Sequence, residues 1–495
     1  MINKVAKHRL LMGTALAVLL AGAGSAAAQE PEVSLHGYLR GWTSLNLQDA
    51  PETVDNEEGT LSMVRGQLRV DGSADWGNVK LFTSVRGVGE IETGHERHLE
   101  NQGAGATESG MEYTDGDIRE AYLDWKATDR VSLRLGKQQV VWGESDFFTA
   151  NDMVHGFDYT WRLFLESENE ELRKPLIMAT AFVDVPEADG TVQAFVRPGL
   201  DRGSDIGNSY DVMGGRWGFQ GNNRGMIDLL SVVPYDYDHP DGDKDDPTYG
   251  VRWSGIAGRG IGYSLMYLHT FNPDPIVNSV FNPWKKAPTG LAGNFIYPTV
   301  DVVGGTVTGQ VEAIDSVLSA EVAYIFDKPF NVGSAFFLPG FAGVTQKDTV
   351  RGMVRIDRNL DLTNLIGTSR PSFFTVQLFD TWIVDYDKAD DIVDLPGYAA
   401  TKDEHSAMAT MILAMNYMND KINPSIVLGY DLSYGGGFFI PAVEFQIGDR
   451  LRIKTELDIF FTDGANAPGG NSTDTHLFGY FENTNQWVTR VTYQF

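Results

Sequence analysis

Residues 64–76 read "VRGQLRVDGSADW", and apolar and polar side chains alternate along the whole stretch. Leu68 and Val70 share one face with small residues. The opposite face carries Arg65 and Arg69 together with glutamine and aspartate. A β-strand produces this pattern because successive side chains point to opposite faces. The stretch therefore predicts a strand with one apolar face and one charged face.

The same two-residue period recurs near both ends of the chain, in residues 33–47 and 451–462. The alternating segments are about 9 to 13 residues long, which is the length that a tilted strand needs to cross a bilayer. A soluble β-sandwich would alternate as well, but its strands are usually shorter. The length of the segments therefore favours a membrane barrel.

The connections between the predicted strands alternate in length. Only Gly77 and Asn78 separate the strand at 64–76 from the next one, whereas residues 90–116 form a long loop. Short turns on one side and long loops on the other are the plan of an outer-membrane barrel. The pattern predicts an all-β fold, a large antiparallel transmembrane β-barrel of about 20 strands within a range of roughly 16 to 20. Further short turns are predicted at 128–130, 186–190, 221–224, 258–260, 315–316, 419–421 and 448–450.

One position departs from the alternation. Arg119 falls on the apolar face of the predicted strand at 117–126, close to its long-loop end. Either the side chain reaches along the wall to the membrane interface, or a one-residue bulge turns it away from the lipid.

The N-terminus predicts export from the cytoplasm. Residues 1–28 place Lys4, Lys7 and Arg9 before an apolar run and end in small residues, which is typical of a secretory signal peptide cleaved near Ala28. We expect the mature chain, residues 29–495, to form a single outer-membrane barrel in a Gram-negative bacterium.

The C-terminus agrees with that destination. The last ten residues, "QWVTRVTYQF", alternate again and end on Phe495. This ending resembles the C-terminal signal that barrel-assembly machinery reads in outer-membrane proteins. The predicted partners are therefore this machinery, through Phe495, together with outer-membrane lipid and lipopolysaccharide.

The composition excludes several classes of protein. The 67 acidic residues outnumber the 39 basic ones and give a formal net charge of −28, which argues against nucleic acid as a partner because phosphate contacts need Lys and Arg. The chain has no Cys, so disulfide frameworks and thiolate metal sites are excluded. No cofactor, metal site or catalytic residue is predicted. The Gly136-Lys137 pair lacks the rest of a P-loop, and residues 95–98 and 236–247 lack the spacing of zinc and calcium sites.

Residues 143–174 form the third long connection, and they are both acidic and rich in aromatic rings. A segment of this apolarity is better buried inside the barrel than free in water, and general porins fold their third loop inward as a constriction. We expect its carboxylates to oppose basic residues of the pore wall, since charged rings set pore selectivity. The predicted acidic constriction consists of Glu144, Asp146, Asp152, Asp158, Glu170 and Glu171. The predicted basic wall consists of Arg40, Arg65, Arg69, Arg86 and Arg134, and the loop aromatics are Trp142, Phe147, Phe148 and Trp161.

Two stretches of this region, "GKQQVVWGESDFFTANDMVHGFDY" at 136–159 and "EELRKPLIM" at 170–178, carry a family resemblance. They are similar to the domain-of-unknown-function 1302 family of Gram-negative outer-membrane proteins, in which G-[KR]-Q-x-x-x-W-G-E-x-D is followed by E-E-x-R-x-P. His155-Gly156 stands where the family usually has Asn-Pro. The resemblance implies a porin-like barrel that is sometimes found alongside an inner-membrane exporter of the resistance-nodulation-division type.

The sequence therefore predicts a porin-like channel for the passive passage of small solutes. The first alternative is a barrel that binds or transports a hydrophobic or amphipathic compound together with an inner-membrane exporter, with residues 143–174 as plug and binding surface. A barrel-borne hydrolase is the weakest alternative, because no G-x-S-x-G motif is present.

Overall fold

Eighteen antiparallel strands close into one barrel in the computed structural model. The structure describes residues 30–49, 58–97, 113–146, 148–166, 168–210, 233–462, 476–481 and 484–495. The predicted signal peptide 1–28, Phe147 and the predicted turn 221–224 lie outside these residues. No helix in the described part of the chain is long and apolar enough to cross a membrane.

The first nine strands occupy the N-terminal half of the chain. They are β1 (Glu32–Asn46), β2 (Leu61–Asp75), β3 (Val79–Glu90), β4 (Asp115–Lys126), β5 (Val131–Gln138), β6 (Leu176–Val185), β7 (Gly190–Arg197), β8 (Thr248–Ala257) and β9 (Ile261–Phe271). Two short strands, β10 (Ile276–Ser279) and β11 (Gly293–Ile296), then form a separate hairpin.

The remaining nine strands of the wall follow the hairpin. They are β12 (Thr299–Val311), β13 (Ser316–Val332), β14 (Gly343–Leu360), β15 (Ser372–Ile383), β16 (His405–Ala414), β17 (Ile422–Asp431), β18 (Gly437–Ile447), β19 (Leu451–Phe461) and β20 (Gln486–Gln494).

The barrel closes because β1 pairs with both β2 and β20. The C-terminal residue joins this seam, where the backbones of Phe495 and Gly37 exchange two hydrogen bonds of 3.0 Å. Eighteen strands fall inside the range predicted from the sequence. β7 pairs directly with β8, so the described residues between them, 198–210 and 233–247, add no strand to the wall.

The predicted faces of the wall are confirmed in β2. Arg65 is only 6% exposed and Leu68 is 46% exposed, so the charged face points inward and the apolar face points toward the lipid. Arg119 is brought to the inner side by a bulge. Ser84 pairs with Glu120 and Val85 with Ile118, so Arg119 is the extra residue between them. The bulge is therefore the one of the two predicted solutions that the chain adopts.

Candidate functional site

The residues of the predicted constriction, 143–174, are called the inward segment below, and its apolar side chains are buried in three directions. Leu163, Phe164 and Leu165 join a cluster that includes Phe438 and Phe460 of the wall. Met153 and Val154 pack beside Trp142 in a second cluster, with Phe195 of β7 and Leu268 of β9. Phe157, Trp161 and Leu172 join a third with Trp42 and Val488. The inward segment therefore contacts wall strands on several sides of the barrel.

His155 closes the neck of the inward segment. Its Nε2 accepts a hydrogen bond of 2.8 Å from the backbone amide of Val140, so the proton is on Nδ1, which donates to the carbonyl oxygen of Lys174 at 2.9 Å. Burial, helped by the nearby charge of Arg173, lowers the pKa of His155 to about 3. The ring is therefore neutral at ordinary pH and ties together the two ends of the segment.

Gly156 completes the same turn. A β-carbon built at Gly156 would lie 1.9 Å from the carbonyl oxygen of Gly207, so only glycine allows the two backbones to approach this closely. The His155-Gly156 pair that stands in place of the family's Asn-Pro therefore has a structural use in this chain.

Glu171 docks the inward segment on β1, β2 and β3. Its carboxylate accepts hydrogen bonds from Tyr38 and from Gln67. The same carboxylate pairs with Arg69 at 2.7 Å and with Arg86 at 3.4 Å. Burial raises the pKa of Glu171, but the two arginines and the Tyr38 hydroxyl outweigh it and lower the pKa to about 2.

The neighbouring carboxylates extend this contact. Glu170 pairs with Arg69 at 3.0 Å, and Glu168 binds Arg40 through both carboxylate oxygens at 3.0 Å. The structure thus places Glu170 and Glu171 in contact with Arg69 and Arg86, whereas Arg40 contacts Glu168. On this side of the barrel the acidic residues touch the basic wall and do not face it across a gap.

The other end of the inward segment reaches the opposite wall. Asp146 pairs with Arg355 of β14 at 3.0 Å, and its backbone amide donates to Gln377 of β15. The backbone amides of Glu144 and Asn151 both donate to the carboxylate of Glu321 on β13. Polar contacts therefore hold the segment to two facing parts of the wall.

A third attachment lies on β19 and β20. Arg162 pairs with Glu456 and, at 3.1 Å, with Asp458, and all three side chains are buried. Arg490 of β20 pairs with Glu166 of the inward segment at 3.3 Å. Sequence reasoning missed Arg162 and Arg490 because each contact joins residues about 300 positions apart and leaves no local pattern.

Several predicted site residues have other partners. Arg65 pairs with Glu90 at 2.9 Å and lies over the ring of Trp161, and Arg134 pairs with Asp124 on the neighbouring strand. The other two carboxylates act within the segment, because Asp152 pairs with Arg173 and Asp158 accepts hydrogen bonds from Thr160. Trp142 is buried against Phe195, and Phe148 packs beside Phe164 and Phe379.

Glu144 differs from the other predicted carboxylates. Its side chain has neither an ion pair within 4.0 Å nor a hydrogen bond among the described residues, whereas Asp158, which also lacks an ion pair, accepts hydrogen bonds from Thr160. Two arginines are near Glu144. Arg355 donates a hydrogen bond of 2.9 Å to the backbone carbonyl oxygen of Glu144. The charge of Arg252 on β8 interacts with Glu144, Glu321 and Asp152, and its Nε atom is buried without a hydrogen-bond partner among the described residues. Glu144 and Arg252 are therefore opposite charges that interact without an ion pair.

A cavity of about 480 Å³ remains between the inward segment and β13 to β17. Rings of the segment line one side of it, and Lys328, Arg351 and Phe379 line the other. Within the described ranges, no group of three or more His, Asp or Glu side chains is placed to hold a metal ion. The cavity therefore combines apolar surface with a few charged groups, which is the composition of an organic ligand pocket.

A closed sheet with apolar residues outside and charged residues inside defines a porin-like β-barrel of the outer-membrane type. The chain belongs to the family described as protein of unknown function (DUF1302), whose sequence model matches residues 8–495. No curated protein matches the chain.

Solved structures with a similar barrel are outer-membrane porins and channels. OccAB1 of Acinetobacter baumannii is 11% identical with a TM-score of 0.48, over 94% of this chain and 96% of that chain. OpdK of Pseudomonas aeruginosa, solved with vanillate, is 10% identical with a TM-score of 0.45, over 94% and 98%. An anion-selective porin from Comamonas acidovorans is 12% identical with a TM-score of 0.39, over 94% and 100%. Similarity at this level does not identify the solute. Any assignment of the solute therefore depends on the residues of this chain.

Proposed function

We propose that this protein is an outer-membrane channel for small solutes and that the inward segment is its constriction. The observation that carries the proposal is the attachment of one segment by polar contacts to β1–β3, to β13–β15 and to β19–β20, and the first and last of these contacts are buried. A segment that is fixed on three sides narrows the lumen permanently. The channel is then a filter whose charge is set by the residues that remain without partners.

Glu144 and Arg252 are the charged pair that sets this filter. The predicted carboxylates Asp146, Asp152, Glu170 and Glu171 are each neutralised by a contact with arginine. Glu144 is not paired with any described residue, so its charge acts on passing ions. Rings of charge in a narrow, partly dehydrated pore are what decide ion selectivity.

Recording in a planar bilayer tests the proposal. The wild-type barrel should show discrete conductance steps, and Glu144→Gln should shift the reversal potential in a salt gradient toward anion preference. Glu187→Gln is the matched control, because Glu187 lies in a short turn and is exposed. A barrel that gives no steps, or a selectivity that is the same in both variants, would contradict the proposal.

A second function is favoured by the cavity between the inward segment and β13–β17. Its aromatic lining suits a hydrophobic or amphipathic compound, and an inner-membrane exporter is the proposed partner that would supply it. Transport of such a compound in cells, lost when that exporter is removed, would support this second function over general diffusion.

Two further parts of the proposal concern membrane insertion. Phe495 closes the seam between β1 and β20, so we expect the barrel-assembly machinery to recognise this strand. The lipid-facing residues should contact outer-membrane lipid and lipopolysaccharide. Deleting Phe495 should lower the amount of folded barrel in the outer membrane, and unchanged amounts would contradict its role.

A further inference from the structure

Lys328 is a buried lysine that has no hydrogen-bond or ion-pair partner among the described residues. It is 8% exposed and lines the cavity described above. The ring of Phe330 lies 4.8 Å from its ammonium group, and the charges of Arg351, Asp274 and Lys402 act on that group without an ion pair. Burying an ammonium group without a counter-charge is costly, so this position requires an explanation.

A β-bulge aims Lys328 into the barrel. Ile325 pairs with Thr349 and Lys328 with Lys347, so two residues of β13 lie opposite the single residue Asp348. Strict alternation from the inward-facing Ile325 would have turned Lys328 toward the lipid. The extra residue reverses the parity, which is the known use of a bulge to redirect a side chain.

Asp348 fixes the bulge. Its carboxylate accepts a hydrogen bond of 2.9 Å from the backbone amide of Asp327 and another from the hydroxyl of Tyr324. Asp327 itself has a φ of +47°, a conformation that aspartate adopts more readily than most residues. The inward position of Lys328 is therefore built into the strand by specific contacts.

Lys328 is the one cation of the lining that has no ion pair with a carboxylate among the described residues. Arg351, which also lines the cavity, pairs with Asp274 at 3.6 Å. The charges of both residues act on Lys328. The remaining lining carboxylates are engaged elsewhere. Asp152 pairs with Arg173, Asp380 with His405, Asp394 with Lys402, and Asp431 accepts hydrogen bonds from the backbone amides of Ser433 and Tyr434.

The rest of the lining is mostly apolar. Aromatic side chains of the inward segment (Phe148, Phe164) and of the wall (Phe330, Phe379) surround the cavity. A ligand that fits this surface has an apolar body for the rings and an acidic group for Lys328, which no described carboxylate pairs with. The volume, about 480 Å³, lies within the ordinary range of organic ligand pockets.

We propose that the cavity binds an amphipathic organic anion, with its acidic group at Lys328 and its apolar body between the inward segment and β15. The inference rests on the second of the proposed functions and names its substrate class. Lys328 is the residue that distinguishes an anion from a neutral molecule of the same shape.

Calorimetry on the barrel in phosphatidylcholine nanodiscs tests the site with two matched probes, 2-naphthoate and the neutral 2-naphthamide. Empty nanodiscs give the correction for partition into lipid. The wild type should bind naphthoate at least about tenfold more tightly than naphthamide, which is the size expected for a hydrogen bond to a charged group. Lys328→Gln should remove this preference. Lys80→Gln, the same change at an exposed position near a short turn, should leave it intact.

Thr381→Trp provides a second variant that changes no charge. Thr381 lines the cavity on β15, so a large ring there should weaken both probes alike. Equal affinity of the wild type for the two probes, or an anion preference that survives in Lys328→Gln, would overturn the inference. The outcome is independent of conductance, because a barrel without conductance steps that still prefers naphthoate would refute the channel and leave the site standing.

Discussion

The basic residues on the two sides of the lumen differ in whether a carboxylate pairs with them. Where the inward segment meets β1–β3, Arg69 and Arg86 pair with its carboxylates Glu170 and Glu171 and also with aspartates of the wall. Beside β13–β17 the segment is attached through Asp146 and Arg355, but Lys328 has no described partner and borders a cavity between segment and wall. The difference indicates that the first side holds the segment in place and that the second side is available to a ligand.

The largest effect is expected from removing the carboxylate that docks the segment on β1–β3. Glu171→Ala leaves Arg69 and Arg86 buried with fewer partners, which should destabilise the docked segment by about 3–5 kcal/mol. Hydrogen exchange of the amides in 168–174 should become much faster. Glu170→Ala is the matched control, since the side chain of Glu170 is 59% exposed and that of Glu171 only 3%. Equal exchange in the two variants would show that Glu171 is not the anchor.

A smaller effect should follow from introducing an arginine on the lipid-facing side of β2. Leu68 lies between Arg69 and Gln67 on β2 and faces the lipid, so Leu68→Arg should cost about 2–4 kcal/mol. Leu68→Ala should cost less because it adds no charge. Urea unfolding from lipid vesicles measures both, and an arginine variant as stable as the alanine variant would refute the assignment of faces.

Overpacking tests the apolar side of the neck. A β-carbon at Gly250 would lie 2.7 Å from the ring of Trp142 and 2.8 Å from that of Phe195. Gly250→Val should therefore destabilise the barrel by about 1–3 kcal/mol. Gly89→Val is the control, because nothing lies within 4 Å of a β-carbon built there. If the two variants unfold at the same urea concentration, Trp142 does not fill the space beside β8.

The smallest expected effect concerns pH. The pKa of Glu171 is lowered from 4.5 to about 2, so its contribution is complete above about pH 4.5 and is lost only as the pH falls toward 2. Protection of the amides in 168–174, corrected for intrinsic exchange, should stay constant from pH 7 to about 5. A loss of protection within that range would mean that another group controls docking.

Much of the fold follows from local pattern. The two-residue period of β2 predicts which residues face the lipid, and the short turns at 77–78 and 258–260 predict the order of the strands. The burial of Trp161 and Phe164 follows from the apolarity of the inward segment. Each of these features depends on neighbours in the chain, so a single sequence reveals it.

The site was less predictable because its contacts join distant parts of the chain. Arg162 of the inward segment contacts Glu456 of β19, and no spacing in the sequence indicates that pair. Alternation alone would have turned Lys328 toward the lipid, since the bulge at Asp327 has no sequence signature of its own. His155 could have been found, because it replaces the usual residue within the family motif.

The central claim is that a docked inward segment limits flow through the barrel, and single-channel recording of the wild type beside Glu171→Ala and Glu170→Ala tests it most directly. The wild type and Glu170→Ala should give small steps of constant size. Glu171→Ala should give larger and noisier steps as the segment leaves the wall. Identical steps in all three proteins, or none in any of them, would contradict the claim.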